Sequence, residues 1–174
     1  RRVSPAFPPR SPSGLRGRSG EGSVGSGYRA TQPGVDRDVA LKVIRPDLVD
    51  DRSFVLRFEA EAQLVARLEH PHIVPLYDFW REPGGAYLVF RMLRGGSADH
   101  VLNSAGPFAL ERATSVVEEV GSALMAAHSA GIVHLDVKPA NILFDEAGAA
   151  YLADFGIAGM ASPIEPAAAR PSAG

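Results

Sequence analysis

The stretch His134-Leu135-Asp136-Val137-Lys138-Pro139-Ala140-Asn141, followed by Asp154-Phe155-Gly156, constrains this 174-residue chain more than any other. Carboxylates, an ammonium and an amide at such offsets do not make a core, and Pro139 denies the segment a continuous helix. The stretch therefore reads as a loop held between apolar elements. Short apolar strands at 142–144 and 150–153 surround the turn Asp145-Glu146-Ala147-Gly148, so a small hairpin separates the loop from Asp154.

Upstream, the residues from Asp38 to Arg45 read as a strand closed by Pro46. A helix is expected from Asp51 to His70, stopped by Pro71. Phe54, Phe58, Glu61, Val65 and Leu68 recur there at spacings of three and four, which puts Glu61 on the buried face. Strands at 73–80 and 86–93 flank the turn Glu82-Pro83-Gly84-Gly85 as a hairpin, and Gly95-Gly96 breaks the chain. A long helix is expected over 109–130, with Leu110, Ala113, Val117, Val120, Leu124 and Ala127 facing inward and Gly131 capping its end.

Three groups of residues carry chemistry. Gly20-Glu21-Gly22-Ser23-Val24-Gly25 precedes a short strand at 28–31, and its glycines let backbone N–H groups approach phosphate oxygens. In isolation a flexible Gly- and Ser-rich linker explains it equally well. Lys42 lies on one face of an apolar strand and needs an anion; the buried-face Glu61 needs a cation, so the two are expected to pair. A purely structural ion pair is the alternative for those two alone. Phosphoryl transfer needs a carboxylate to orient the attacking hydroxyl, metal ligands and cations facing phosphate, and Asp136, Asn141, Asp154 and Lys138 supply that inventory.

With these motifs in place, the chain from about Gly20 to Ala158 resembles a bacterial Hanks-type serine/threonine protein kinase. The resemblance implies an α+β, two-lobed fold, with a small antiparallel sheet and C helix followed by the start of a mainly helical lobe. It implies ATP and Mg²⁺ as cofactors and a protein bearing Ser or Thr as substrate. Gly20, Gly22 and Gly25 would cover the phosphates, and Lys42, held by Glu61, would contact the α- and β-phosphates. Asp136 would be the catalytic base and Lys138 the cation at the transferring phosphate, with Asn141 and Asp154 as metal ligands. Phe90 resembles the gatekeeper, Arg91 to Leu93 the hinge whose backbone reads adenine, and Ala40 and Leu143 the residues sandwiching the base. Val65, Leu76, His134 and Phe155 match the apolar spine linking the lobes. The lysine in Asp-x-Lys-Pro-x-Asn favours the Ser/Thr class over tyrosine kinases and over small-molecule phosphotransferases.

The chain departs from that pattern at four places. Gly17-Arg18-Ser19 stands where the family has an apolar first strand, which predicts an incomplete sheet edge. Gly27 replaces the valine that packs on adenine, and Leu135 replaces the arginine that answers activation-loop phosphorylation. After Ala158 no Ala-Pro-Glu and no further helices follow, so the chain reads as a fragment without its protein-substrate platform. The expected partition is a disordered basic head over 1–18, an N-lobe over 19–93, a partial C-lobe over 94–159 and a disordered Ala/Pro-rich tail over 160–174. The long helix should then expose an apolar face that a partner or a missing C-terminal region covers.

Bulk properties narrow the remaining classes. With no cysteine, disulfides, thiolate zinc sites and cysteine nucleophiles are excluded. No apolar run approaches the length of a membrane span, and the arginine-rich start lacks a signal peptide's hydrophobic stretch, so a cytoplasmic location is expected. The five arginines before Ser19 lack aromatic interleaving, which argues for a solvated head rather than a nucleic-acid partner. Two further readings compete with an active kinase: a nucleotide-binding pseudokinase or regulatory module, and a non-functional fragment.

Overall fold

In the computed structural model the residues described are 15–21, 25–32, 35–49 and 51–155. The expected head up to residue 14, the tail from residue 160, Gly22 and Gly156 lie outside them. Five strands form one antiparallel sheet in the order β1-β2-β3-β5-β4. These are β1 (Leu15–Glu21), β2 (Gly25–Gln32), β3 (Arg37–Ile44), β4 (Leu76–Glu82) and β5 (Gly85–Arg91). Helices α1 (Pro46–Val49) and α2 (Arg52–Val65) lie between β3 and β4. Helices α3 (Ala98–Ala105) and α4 (Leu110–Ser129) follow, and then the two-stranded sheet of β6 (Ile142–Phe144) and β7 (Ala150–Leu152).

The first strand corrects an expectation. Leu15 to Glu21 pairs with β2, Leu15 opposite Ala30 and Gly20 opposite Gly27, although Gly17-Arg18-Ser19 is not apolar. An edge strand is held by its backbone ladder and does not need a buried face. Irregular register between Arg16 and Gly20 accompanies the change in pattern. Residues 15 to 18, expected in the basic head, therefore belong to the sheet. Pro46, expected only to close a strand, instead starts α1, where its missing N–H costs nothing.

Strand β3 divides the apolar residues by its alternation. Val39 and Leu41 bury with Ala30 and Val89 under Tyr28, Trp80 and Tyr87 on one face of the sheet. On the other face Ile44, Leu88 and Phe90 join Phe54, Phe58, Ala62 and Val65 of α2 in the main core. That core continues through Ile73 and Val74 into Val116, Val120, Ala123 and Ala127 of α4 and Phe144, Tyr151 and Leu152 of the hairpin.

Helix α2 ends at Val65, short of the predicted His70, so Leu68 packs on the core from beyond the helix. The phase of α4 also differs from the reading: Val116 and Ala123 are buried, whereas Leu110 and Val117 are 78% and 71% exposed. Adjacent apolar pairs at 116/117 and 123/124 leave the stripe ambiguous by one residue, and packing on β7 selects the first of each. Helix α3 is capped by the Ser97 hydroxyl accepting from the His100 N–H at 3.1 Å, with Gly106 at φ 84° at its end.

Candidate active site

Backbone hydrogen bonds fasten the chemistry-bearing loops to the two sheets. The Val74 N–H donates to the Leu152 carbonyl at 3.0 Å and the Leu152 N–H to the His72 carbonyl at 2.8 Å, tying the entry to β4 onto β7. The Ala153 N–H donates to the Asn141 carbonyl at 2.9 Å, so the residue before Asp154 is held on the loop. Asn141 itself ends a tight turn begun by Pro139 and is buried. Leu135 and Asp154 adopt left-handed backbone at φ 64° and 61°, a conformation costly for side-chain-bearing residues outside functional loops.

Four site residues converge as two ion pairs. Lys42 Nζ stands 2.8 Å from Asp154 Oδ1, and Lys138 Nζ stands 2.7 Å from Asp136 Oδ2. The Asn141 amide NH₂ donates to the Asp136 backbone carbonyl at 2.9 Å and to Asp136 Oδ2 at 3.0 Å, joining the second pair to the loop's end. The hydrogen bond from Lys138 holds the Asp136 carboxyl below the ordinary carboxylate range; burial opposes this, and the hydrogen bond from Asn141 adds to the lowering.

His134 holds the backbone of the same loop. Its Nε2 lies 2.7 Å from the Ala153 carbonyl and its Nδ1 accepts the Asp136 N–H at 3.2 Å, which together require the neutral tautomer protonated at Nε2. Burial holds the imidazole below its ordinary pKa and favours that neutral form. Its ring meets Phe155 edge-on at 4.7 Å, and Val65, Leu76 and Phe155 are all buried in the main core.

The expected pair between Lys42 and Glu61 is absent. Lys42 sits on Asp154, and Glu61 Oε2 is buried with no hydrogen-bond partner. The α2 stripe of Phe54, Phe58 and Val65 is completed by Ala62, which is fully buried, leaving Glu61 partly buried at the flank. Burial raises the Glu61 carboxyl above its ordinary pKa, and nearby Arg57 offsets only part of that.

The other residues singled out from the sequence lie on the five-stranded sheet, on β6 and in the loop that follows α4. Phe90 is buried, and Ala40 of β3 and Leu143 of β6 are partly buried against the same core. The Arg91 N–H is used by the Pro75 carbonyl at 3.0 Å. Gly25 pairs with Ile44, and a Cβ there would run into the Val43 carbonyl oxygen, so close strand contact demands glycine. Gly20 is in β1 opposite Gly27. The Leu135 side chain is 71% exposed.

Among the described residues no cluster of three or more His, Cys, Asp or Glu is placed to hold a metal ion. One carboxylate at Asp154 and one amide oxygen at Asn141 nevertheless fit Mg²⁺, a hard cation that takes few protein ligands and completes its shell with water and phosphate oxygens. Among the described residues, no helix is long and apolar enough to cross a membrane. Sequence reading did not single out Glu119, whose carboxylate accepts the Ala150 N–H at 2.7 Å and seats β7 on α4. A glutamate in a helix gives no pattern that announces such a role.

Residues 16–169 match the family profile of the protein kinase domain. The chain is 43% identical over 144 residues to serine/threonine-protein kinase PknE of Mycobacterium bovis, covering 83% of this chain and 25% of that protein. It is 39% identical over 157 residues to PknH of the same organism, covering 90% and 26%. The crystal structure of the Mycobacterium tuberculosis PknI kinase domain superposes with a TM-score of 0.72 at 32% identity, covering 83% of this chain and 60% of that one. The chain thus spans about a quarter of the length of these curated relatives. Matching over nearly its whole length, it belongs to the protein kinase domain family and, by its relatives, to the serine/threonine protein kinases.

Proposed function

We propose that the chain binds Mg-ATP between the five-stranded sheet and the β6–β7 hairpin and transfers the γ-phosphoryl group to a serine or threonine hydroxyl of a protein. The observation that carries this reading is the convergence of Lys42 with Asp154 and of Lys138 and Asn141 with Asp136 on one loop system. Asp136 is kept ionised by Lys138, so it can accept the proton of the attacking hydroxyl. The hydroxyl oxygen bonds to the γ-phosphorus while the bond to the oxygen bridging the β- and γ-phosphates breaks, leaving ADP. Lys138 faces charge on the transferring group, and Lys42 serves the α- and β-phosphates, exchanging part of its present contact with Asp154. Asn141 and Asp154 would hold Mg²⁺, which when bound supplies charge neutralisation at the phosphates. Gly20, Gly22 and Gly25 offer backbone N–H groups to the phosphates. The Arg91 carbonyl and the Leu93 N–H read the adenine edge, between Ala40 and Leu143.

A nucleotide-binding module that does not transfer phosphate is the second reading. It draws on the unpartnered Glu61 Oε2 and on the exposed Leu110, Val117 and Met125 face of α4. Incubation with radiolabelled ATP, Mg²⁺ and a general Ser/Thr-rich protein substrate separates the two. Label on phosphoserine or phosphothreonine, lost in Asp136→Asn, supports transfer; nucleotide binding without label supports the module.

A further inference from the structure

Two polar contacts cross between the lobes beside the segment that joins them. Arg94 follows β5 and directs Nη2 to Asp38 Oδ2 of β3 at 2.6 Å, while its Nε lies 3.6 Å from Glu146 Oε1 in the β6–β7 turn. Asp38 is itself held by Arg29 of β2 at 2.6 Å. Nearer the pivot, Arg91 lies over the Tyr151 ring at 5.2 Å and donates to its hydroxyl at 3.3 Å, and that hydroxyl donates to Asp145 at 3.2 Å.

The positions of these partners give Arg94 leverage over the cleft. By strand alternation Asp38 shares a face of β3 with Ala40 and Lys42, the residues assigned to the roof of the nucleotide site. Glu146 follows β6, whose Leu143 is the assigned floor. The crossover is already pinned to the lower lobe: the Gly95 N–H donates to the Phe144 carbonyl at 2.9 Å and the Phe144 N–H to the Gly96 carbonyl at 2.8 Å. A Cβ on Gly95 would approach the Asp145 carbonyl oxygen to 2.5 Å, so the chain lies flat on the turn. A cavity of about 340 Å³ lined by Arg91, Met92, Leu93, Arg94, Asp145 and Glu146 occupies the space beside it. Polar contacts rather than close packing therefore join the lobes at this edge.

We propose that Arg94 is a positioning residue: by spanning Asp38 and Glu146 its guanidinium sets the gap between the Ala40 roof and the Leu143 floor and so slows nucleotide release. The effect on nucleotide rests on the function proposed above, whereas the effect on the gap does not. A guanidinium suits the task because its planar fork serves two carboxylates at once, which an ammonium does less well.

The chain has no cysteine, so spin labels can be placed on the full chain through Gln63→Cys on α2 and Glu118→Cys on α4, both exposed. Pulsed electron resonance of this pair should give one narrow distance distribution. Arg94→Ala should broaden it at unchanged melting temperature, Asp38→Asn should broaden it as well, and Arg94→Lys should recover part of the narrowing. Release of a fluorescent Mg-ATP analogue should be about three- to tenfold faster in Arg94→Ala, as expected for a contact of partly exposed ions. An unchanged distance distribution in folded Arg94→Ala overturns the proposal, as does a broadened one with unchanged analogue release. If the labelled parent binds no analogue, the proposed function fails, while the distance measurement still decides whether Arg94 sets the gap.

Discussion

Glu61 carries a carboxylate oxygen that water does not reach and no donor meets. Ionising such a group inside a protein costs free energy, which is why its pKa stands above the ordinary 4.5. Replacing it with an apolar side chain of similar shape removes the cost. Glu61→Met should raise stability at neutral pH by about 1 kcal/mol in urea unfolding. The sign with pH follows from the direction of the shift. The penalty is present in full above the folded-state pKa and shrinks as pH falls through it. Below the ordinary value of 4.5 both states are protonated and the ionisation penalty is gone. The advantage of Glu61→Met should therefore narrow on acidification; one that grows instead would contradict this account. His134 acts in the opposite sense. Its folded-state pKa lies below the ordinary 6.5, so folding stability is present above 6.5 and is lost as pH falls toward the folded value.

Among the elements, α4 gives the sharpest test of side-chain phase. Val116 is buried and its neighbour Val117 is exposed. Val116→Ala removes two buried methyl groups and should cost about 2 kcal/mol, whereas Val117→Lys should change stability by less than about 0.5 kcal/mol. A larger loss from Val117→Lys than from Val116→Ala would place the stripe where periodicity alone put it. In β2, Gly25→Ala forces a Cβ against the Val43 carbonyl and should cost about 1–3 kcal/mol by thermal unfolding. These elements also show what was legible beforehand. The β6–β7 hairpin followed from Pro, Gly and apolar punctuation that has few alternative foldings. Strand β1 did not, because edge pairing uses backbone groups that side-chain pattern does not report. The end of α2 was placed too late because Leu68 keeps the helical spacing while packing from outside the helix.

For the whole molecule, the loop residues were legible because Asp136, Lys138, Asn141 and Asp154 form a motif whose offsets reflect one geometry, and the fold brings them together. The partner of Lys42 was not legible: Glu61 and Asp154 both satisfy the charge argument, and only three-dimensional placement chooses Asp154. The Arg94 contacts were hidden for a similar reason, since they join residues 56 and 52 positions apart in sequence without any periodic signal. The proposed function turns on nucleotide binding between the two sheets. Calorimetric titration of the chain with ATP in the presence and absence of Mg²⁺ tests that claim most directly, with Lys42→Met and Asp154→Asn as paired variants. The account predicts Mg²⁺-dependent binding at one site by the parent and its loss in both folded variants. A folded parent that binds no ATP, or variants that bind it unchanged, would contradict it.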